Sequence, residues 1–224
     1  MINLFDEHLN AGQKEVMQGL TDPAKIQAFL DGIPYSPENV DRSPLEVLQD
    51  RKAHCMDGAL FAAAALRRLG HPPLVVDMVP EPGTDDDHML AVYKRHGYWG
   101  AVAKSNYVGL RFREAVYRSL RELVLSYFEQ FFNLYGQKTL RFYTRPVNLA
   151  RFDPLEWTWK SDGLGTIEQY FDLVQHYPVL SSAMVAELSV VDERSLEAGL
   201  AGSNPAGLYQ PIRANQSLGR SSND

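Results

Sequence analysis

The segment from Cys55 to Leu69 contains no proline and a single glycine, Gly58. Cys55, Ala59, Ala62, Leu66 and Leu69 recur at helical spacing, and Leu60, Phe61, Ala64 and Ala65 carry the apolar surface nearly all the way round. A helix of this kind must be enclosed on most sides, so the rest of the chain has to build a core around it. Arg67 and Arg68 suit its C-terminal dipole end, Gly70 suits the position just past the last turn, and Pro72-Pro73 stop it. Leu74-Val75-Val76-Asp77-Met78-Val79 then reads as a buried strand.

The flanking segments supply the partners. Asp22-Pro23 opens a helix carrying Ile26, Phe29 and Leu30, which Gly32 and Pro34 end; Ser43-Pro44 opens a shorter one through Val47 and Leu48. Pro80 to Asp87 is an acidic loop. Met89–Tyr93 and Tyr98–Ala103 read as two strands joined by a three-residue loop, Arg95-His96-Gly97. The spacing of Val116, Leu120, Leu123, Val124, Tyr127, Phe128 and Phe131 predicts one long helix from Arg113 to Tyr135. Strands are expected at Thr139–Tyr143 and Leu155–Trp159, a helix around Thr166–His176, and weaker helical signal over Met184–Leu200. Hairpin-linked strands grouped between helices predict an α+β fold with an antiparallel sheet. A chain of 224 residues can bury a full core, here expected as one domain over 1–212. The small, polar segment 213–224 is expected to be a disordered tail.

Charge narrows the function classes. A net charge of −6 and a pI near 5.5 argue against a nucleic-acid partner and against a polybasic membrane surface. The longest apolar run, Ala59 to Leu66, is far too short to span a bilayer. The start, Met1 to Glu7, lacks a basic region followed by an apolar stretch, and one cysteine forms no internal disulfide, so the expected compartment is a reducing cytoplasm.

Cys55 opens the buried helix, where unpaired N–H groups and the macrodipole favour a thiolate. His88 follows the acidic loop and is a candidate base; a nucleophilic thiol needs such a partner and a third group to orient it. On spacing alone, a small buried hydrophobe accounts for Cys55 better than a nucleophile does.

The stretch Cys55-Met-Asp57-Gly-Ala59-Leu-Phe-Ala-Ala-Ala-Ala-Leu66-Arg-Arg-Leu69-Gly70-His-Pro72, with the Val-rich strand after it, resembles bacterial transglutaminase-like proteins. His88-Met-Leu-Ala-Val92-Tyr93 and Gly97-Tyr-Trp99 resemble the histidine strand and the next strand of that family. The resemblance covers about residues 48–106. It implies a papain-like core with Cys55 as nucleophile and His88 as general base. The family's acidic third residue, four positions after the aromatic, is Ala103 here, and alanine cannot orient an imidazole. With the three-residue hairpin, His88 faces Lys104, and Asn106 is its diagonal neighbour on the same face; a two-residue loop would put Ser105 opposite instead. Asn106 is therefore the substitute orienter, as in Cys-His-Asn sites. Lys104 opposes this, since a cation beside His88 depresses the imidazole pKa, unless a one-residue slip turns it to the other face. The backbone N–H of Cys55 is the first oxyanion donor, and Gln49, at papain-like spacing, is a second candidate whose plainer reading is a solvated helix end.

Other residues carry plainer readings. Asp57 in the first turn is expected to bond free N–H groups, His54 to lie near the cap, and Asp85-Asp86-Asp87 to be a solvated acidic loop without calcium-loop spacing. A zinc site from Cys55, His54, His88 and these acids lacks paired-ligand spacing. Trp157 and Trp159 read as core packing, with a substrate groove as the alternative. The expectation is a cysteine enzyme acting on the amide bonds of a peptide, protein or small-molecule substrate through an acyl-thioester, with no cofactor or metal. The alternative is an inactive binding or scaffold protein on the same fold. Oligomeric state is not legible from the sequence.

Overall fold

The computed structural model describes residues 4–211. The helices are α1 (Leu4–Glu7), α2 (Ala11–Gly19), α3 (Pro23–Asp31), α4 (Pro44–Asp50), α5 (Cys55–Arg68), α6 (Leu120–Leu125), α7 (Leu164–Leu173), α8 (Ser182–Ala186) and α9 (Glu193–Leu200). The strands are β1 (Leu74–Pro80), β2 (His88–Arg95), β3 (Tyr98–Val102), β4 (Arg113–Tyr117), β5 (Leu140–Thr144), β6 (Val147–Asn148) and β7 (His176–Pro178). The fold is α+β, as the strand grouping predicts. The tail expected over 213–224 lies outside the described residues. No helix among the described residues is long and apolar enough to cross a membrane.

Helix starts follow their caps. Asp22 accepts the Lys25 N–H at 2.9 Å to open α3, with Pro23 at its first position. Ser43 and Glu46 form a capping box on α4. In α5 every residue from Cys55 to Leu66 is buried, which its all-round apolar surface requires.

The strands form one antiparallel sheet in the order β4-β3-β2-β1-β5-β7, with β6 paired to β1. The sheet separates two apolar layers. Val75, Met89, Ala91, Tyr93 and Val102 pack with α5. Val76, Met78, Leu90, Val92, Ala101 and Ala103 pack on the other side with Leu123, Val124 and Tyr127. Successive strand residues alternate between these layers.

Three expectations are corrected. The β2–β3 turn has two residues, His96 and Gly97, both at positive φ (54° and 84°), so Arg95 pairs with Tyr98 and Lys94 with Trp99. That is the primed turn whose twist suits a tight hairpin. The long helix over 113–135 is instead edge strand β4, then α6 capped by Ser119, then a 3₁₀ turn at Phe128–Gln130. Ser119 breaks the helix at its own cap, and Val116 lies exposed on the edge strand. The strand over 155–159 is the end of a 3₁₀ helix (Leu149–Leu155) and a turn, in which Trp157 is buried and donates to Asp153.

Candidate active site

The N-terminus of α5 is held by a network around Asp57. The Asp57 carboxylate is fully buried and accepts the N–H of Arg42 at 2.6 Å and the N–H of His54 at 3.1 Å. His54 is the cap residue, and its Nδ1 accepts the Met56 N–H at 3.2 Å. The buried Arg42 guanidinium gathers Asp50 at 3.0 Å, Ser36 at 3.1 Å and Glu38. One carboxylate thus joins the cap of α5 to the loop between α3 and α4, and Asp57 has the structural role expected of a first-turn acid.

Cys55 lies on the wall of a cavity of about 270 Å³. Its Sγ is 3.9 Å from the Asp87 carbonyl, to which it donates. Tyr35 lines the same cavity, and burial together with the nearby Cys55 raises its phenol well above the ordinary value. Burial pushes the Cys55 thiol well up from its ordinary value, and the charges of Asp87, Asp86 and Asp77 push the same way. The helix terminus favours a thiolate, but desolvation and the neighbouring carboxylates win.

Those carboxylates dominate the cavity. Glu38, Asp41, Asp86, Asp87 and Glu168 line it, with His54 as the one basic side chain among its lining residues. The Asp87 carboxyl is raised to about 7 by desolvation of the carboxyl and then by the charges of Asp86, Glu168 and Asp172, although the residue is exposed to solvent. Behind the sulfur, Asp77 sits in β1 opposite Met89, on the side that faces α5. It is 4% exposed, and its Oδ1 has no hydrogen-bond partner among the described residues. Burial, then Asp87, Asp172 and Asp86, raise its pKa strongly.

His88 is not brought to Cys55. It shares the strand phase of Leu90 and Val92, which pack on the sheet face away from α5. Its Nε2 lies 2.7 Å from the Leu110 carbonyl, to which it donates in the neutral form. Burial pushes its pKa down to about 4, with the Leu110 bond opposing and Arg113 adding to the fall. Met89 takes the α5 side of the strand, and Asp87 holds the contact with the sulfur. Nor does Asn106 orient His88. Its Nδ2 donates to the Asn204 carbonyl at 2.8 Å, and its Oδ1 accepts the Asn204 N–H at 2.7 Å. Ala103 faces away from α5, its backbone held by the Gln27 amide. Gln49 is exposed near the end of α4, the solvated position of its plainer reading.

The two-residue hairpin also settles where Lys104 goes. With that turn Lys104 takes the phase of Met89, opposite to His88. Its Nζ donates to the carbonyls of Leu30 at 2.7 Å and Ile33 at 2.5 Å, closing the end of α3. Asp41, His54 and Asp57 each bring a possible ligand atom within 4.8 Å of the others. The Asp57 oxygens are already committed to two N–H groups, and the Arg42 guanidinium stands 3.6 Å away, so this cluster is an ion-pair network and a poor cation cage. A cleft of about 970 Å³ lies at the other end of α5; its arginines, Arg67 and Arg68, already pair bidentately with Asp153 and Asp6.

Sequence reasoning missed Tyr35 and Asp77. Asp77 did leave a signal, as the one charged residue within an apolar strand. Tyr35 left none, because only the tertiary fold brings it to the Cys55 cavity.

No protein-family model matches the chain, and no curated protein matches it. Two solved structures of Legionella pneumophila LapG overlap with part of the fold. The EGTA-treated one aligns over 50% of this chain and 71% of its own, at 15% identity and a TM-score of 0.36. The other aligns over 46% of this chain and 66% of its own, at 15% identity and a TM-score of 0.33. Overlaps this loose do not establish a common fold.

Proposed function

We propose that this chain is a binding protein that receives a cationic group in the acidic pocket beside Cys55, such as a lysine or arginine side chain of a peptide or protein. The observation that carries the reading is that Asp87 contacts the sulfur while His88 faces the other side of the sheet. The nearby His54 imidazole is committed to the Met56 N–H, Asp41 and Asp57, and a thiol with no imidazole paired to it, among carboxylates, stays protonated and unreactive. The same carboxylates gain from a cation, which also lowers the cost of ionising Asp87. Affinity for the cation is then stronger at pH 8 than at pH 6, because Asp87 loses its proton near pH 7. A cytoplasmic location belongs to the same proposal and rests on the single free cysteine.

A second reading has its own support: a cysteine hydrolase or acyltransferase with Cys55 as nucleophile, His88 as base, Asn106 as orienter and Gln49 as an oxyanion donor. The sulfur starts a 14-residue helix at a cavity wall, and the sequence around it resembles transglutaminase-like proteins. This reading requires the imidazole to leave Leu110 and cross to the other sheet face.

The single cysteine makes one experiment decisive. Iodoacetamide alkylation is followed against pH for the wild type and His88→Ala, with and without the peptide Gly-Lys-Gly. For the binding protein, alkylation is slow at neutral pH, unaffected by His88→Ala, and slowed further by Gly-Lys-Gly at pH 8 more than at pH 6. A fast plateau well below the free-thiol pKa of about 8.5 that disappears in His88→Ala would establish the enzyme instead.

A further inference from the structure

The segment Ser203–Gln210 crosses the mouth of the Cys55 pocket as a strap. Asn106 holds it by a paired contact, its side-chain amide bonding both the N–H and the C=O of Asn204 at 2.7 and 2.8 Å. That is the pairing an adjacent strand would make, and it reads backbone without regard to side chain. The Asn204 side chain in turn donates to the Tyr35 carbonyl at 3.1 Å and accepts the Ala206 N–H at 3.2 Å. Gly207 passes so close that a Cβ there would stand 2.8 Å from Tyr35 Cδ1. Gly207 and Tyr209, with Tyr35, Asp86 and Asp87, line both the Cys55 cavity and a smaller one of about 40 Å³ that contains His88, Asn106 and Leu110. The strap and Tyr35 are therefore common walls of two cavities.

We propose that the channel between Tyr35 and Asn106 is a binding groove for a peptide, and that Ser203–Gln210, whose Pro205–Gly207 forms a 3₁₀ turn capped by Asn204, is its resident intramolecular occupant. This rests on the reading of the Cys55 pocket as a binding site and names the ligand class, a peptide backbone clamped by Asn106. The described strap contains no basic residue, so it fills the groove while leaving the pocket carboxylates unanswered. A partner peptide with a lysine at the position of Leu208, which lines the acidic pocket, satisfies both. The strap is thus a weak plug that a better-matched peptide displaces.

The test uses the full chain and the alkylation rate of Cys55. Asn204→Pro removes the clamped N–H at a residue whose φ of −84° is close to what proline adopts. Gly207→Val drives a side chain against Tyr35 instead. Asn204→Pro loses that N–H bond and both bonds of the Asn204 side chain, so opening and alkylation accelerate by at least about tenfold while the melting temperature stays close to wild type; Gly207→Val accelerates alkylation in the same direction. The synthetic peptide Ser-Asn-Pro-Ala-Gly-Leu-Tyr-Gln-Pro, added to Asn204→Pro, returns the rate toward wild type. The same peptide with proline in place of its asparagine does not. If one variant is unstable, the other is read. Unchanged alkylation in the folded variants overturns the strap, and acceleration without rescue by the peptide overturns the groove. A version of the peptide with lysine replacing leucine separates the two proposals. Stronger protection supports the acidic pocket, while equal protection leaves the groove standing and removes the charge preference.

Discussion

Replacing Asp57 with alanine removes the acceptor that joins the α5 cap to the preceding loop. Two N–H groups lose their partner, Arg42 at 2.6 Å and His54 at 3.1 Å. A buried donor left unpaired costs about 1–3 kcal/mol; Arg42 falls in the middle of that range and the half-buried His54 at its low end, giving about 3 kcal/mol for the pair. Stranding a buried charge would add about 3–5 kcal/mol, but the Arg42 guanidinium keeps Asp50 and Glu38, so little of that applies. The buried carboxylate itself carries a desolvation cost, visible in its raised pKa, and removing it returns part of the loss. The net expectation is about 2–3 kcal/mol, which for a chain of this size lowers Tm by about 4–12 °C. Asp57→Asn keeps the shape and one acceptor, so it should fall about half as far. Thermal melting at pH 7, checked against a denaturant midpoint, reads both variants. A loss for Asp57→Ala within about 0.5 kcal/mol, the range of ordinary surface changes, would refute the reasoning, as would an asparagine worse than the alanine.

Two further predictions follow from named contacts. Gly58→Ala sets a Cβ 2.2 Å from Lys104 Cβ; alanine's helical advantage of about 1 kcal/mol is outweighed by overpacking of about 1–3 kcal/mol, and a variant that melts higher than wild type would contradict this. His88 is held neutral, with a pKa of about 4 when folded against 6.5 ordinarily. Between those values the unfolded chain binds the proton that the folded chain refuses, so this contribution is whole above pH 6.5 and is lost as pH falls, by roughly 3 kcal/mol at pH 4. Asp77 and Asp87, with raised values, act in the opposite sense and cancel when wild type is compared with His88→Gln. Denaturant curves of the two proteins from pH 7 to 4 should therefore diverge, and parallel curves would sink the assignment.

Local chemistry made much of the fold legible. Asp22 and Ser43 announce their helices because a cap needs only neighbours in sequence. The enclosed α5 announces itself because no exposed helix tolerates apolar residues all round. The hairpin turn was misread because Gly97 adopts positive φ in either loop, and nothing marks His96 as a second such residue. The site was harder for one reason. Strand β2 is apolar on both faces, with Met89, Ala91 and Tyr93 on one and Leu90 and Val92 on the other. With no polar alternation, its phase cannot be read from sequence, and phase decides whether His88 or its neighbours meet the sulfur. The Asn106–Asn204 pair spans 98 residues and has no local signature at all.

The indifference of β2 to its own phase has a consequence for descent. Changing which residue meets Cys55 requires no new side chain in the strand, only one residue gained or lost at its start. The loop from Glu81 to Asp87 can absorb the difference in length, and either face of β2 presents an acceptable apolar surface. In a strand of this kind, a thiol–imidazole pair and an acid-walled thiol differ by a one-residue shift of phase. Comparing chains by whether they keep the cysteine and the histidine would miss that event. The length of the segment joining β1 to β2 is what records it.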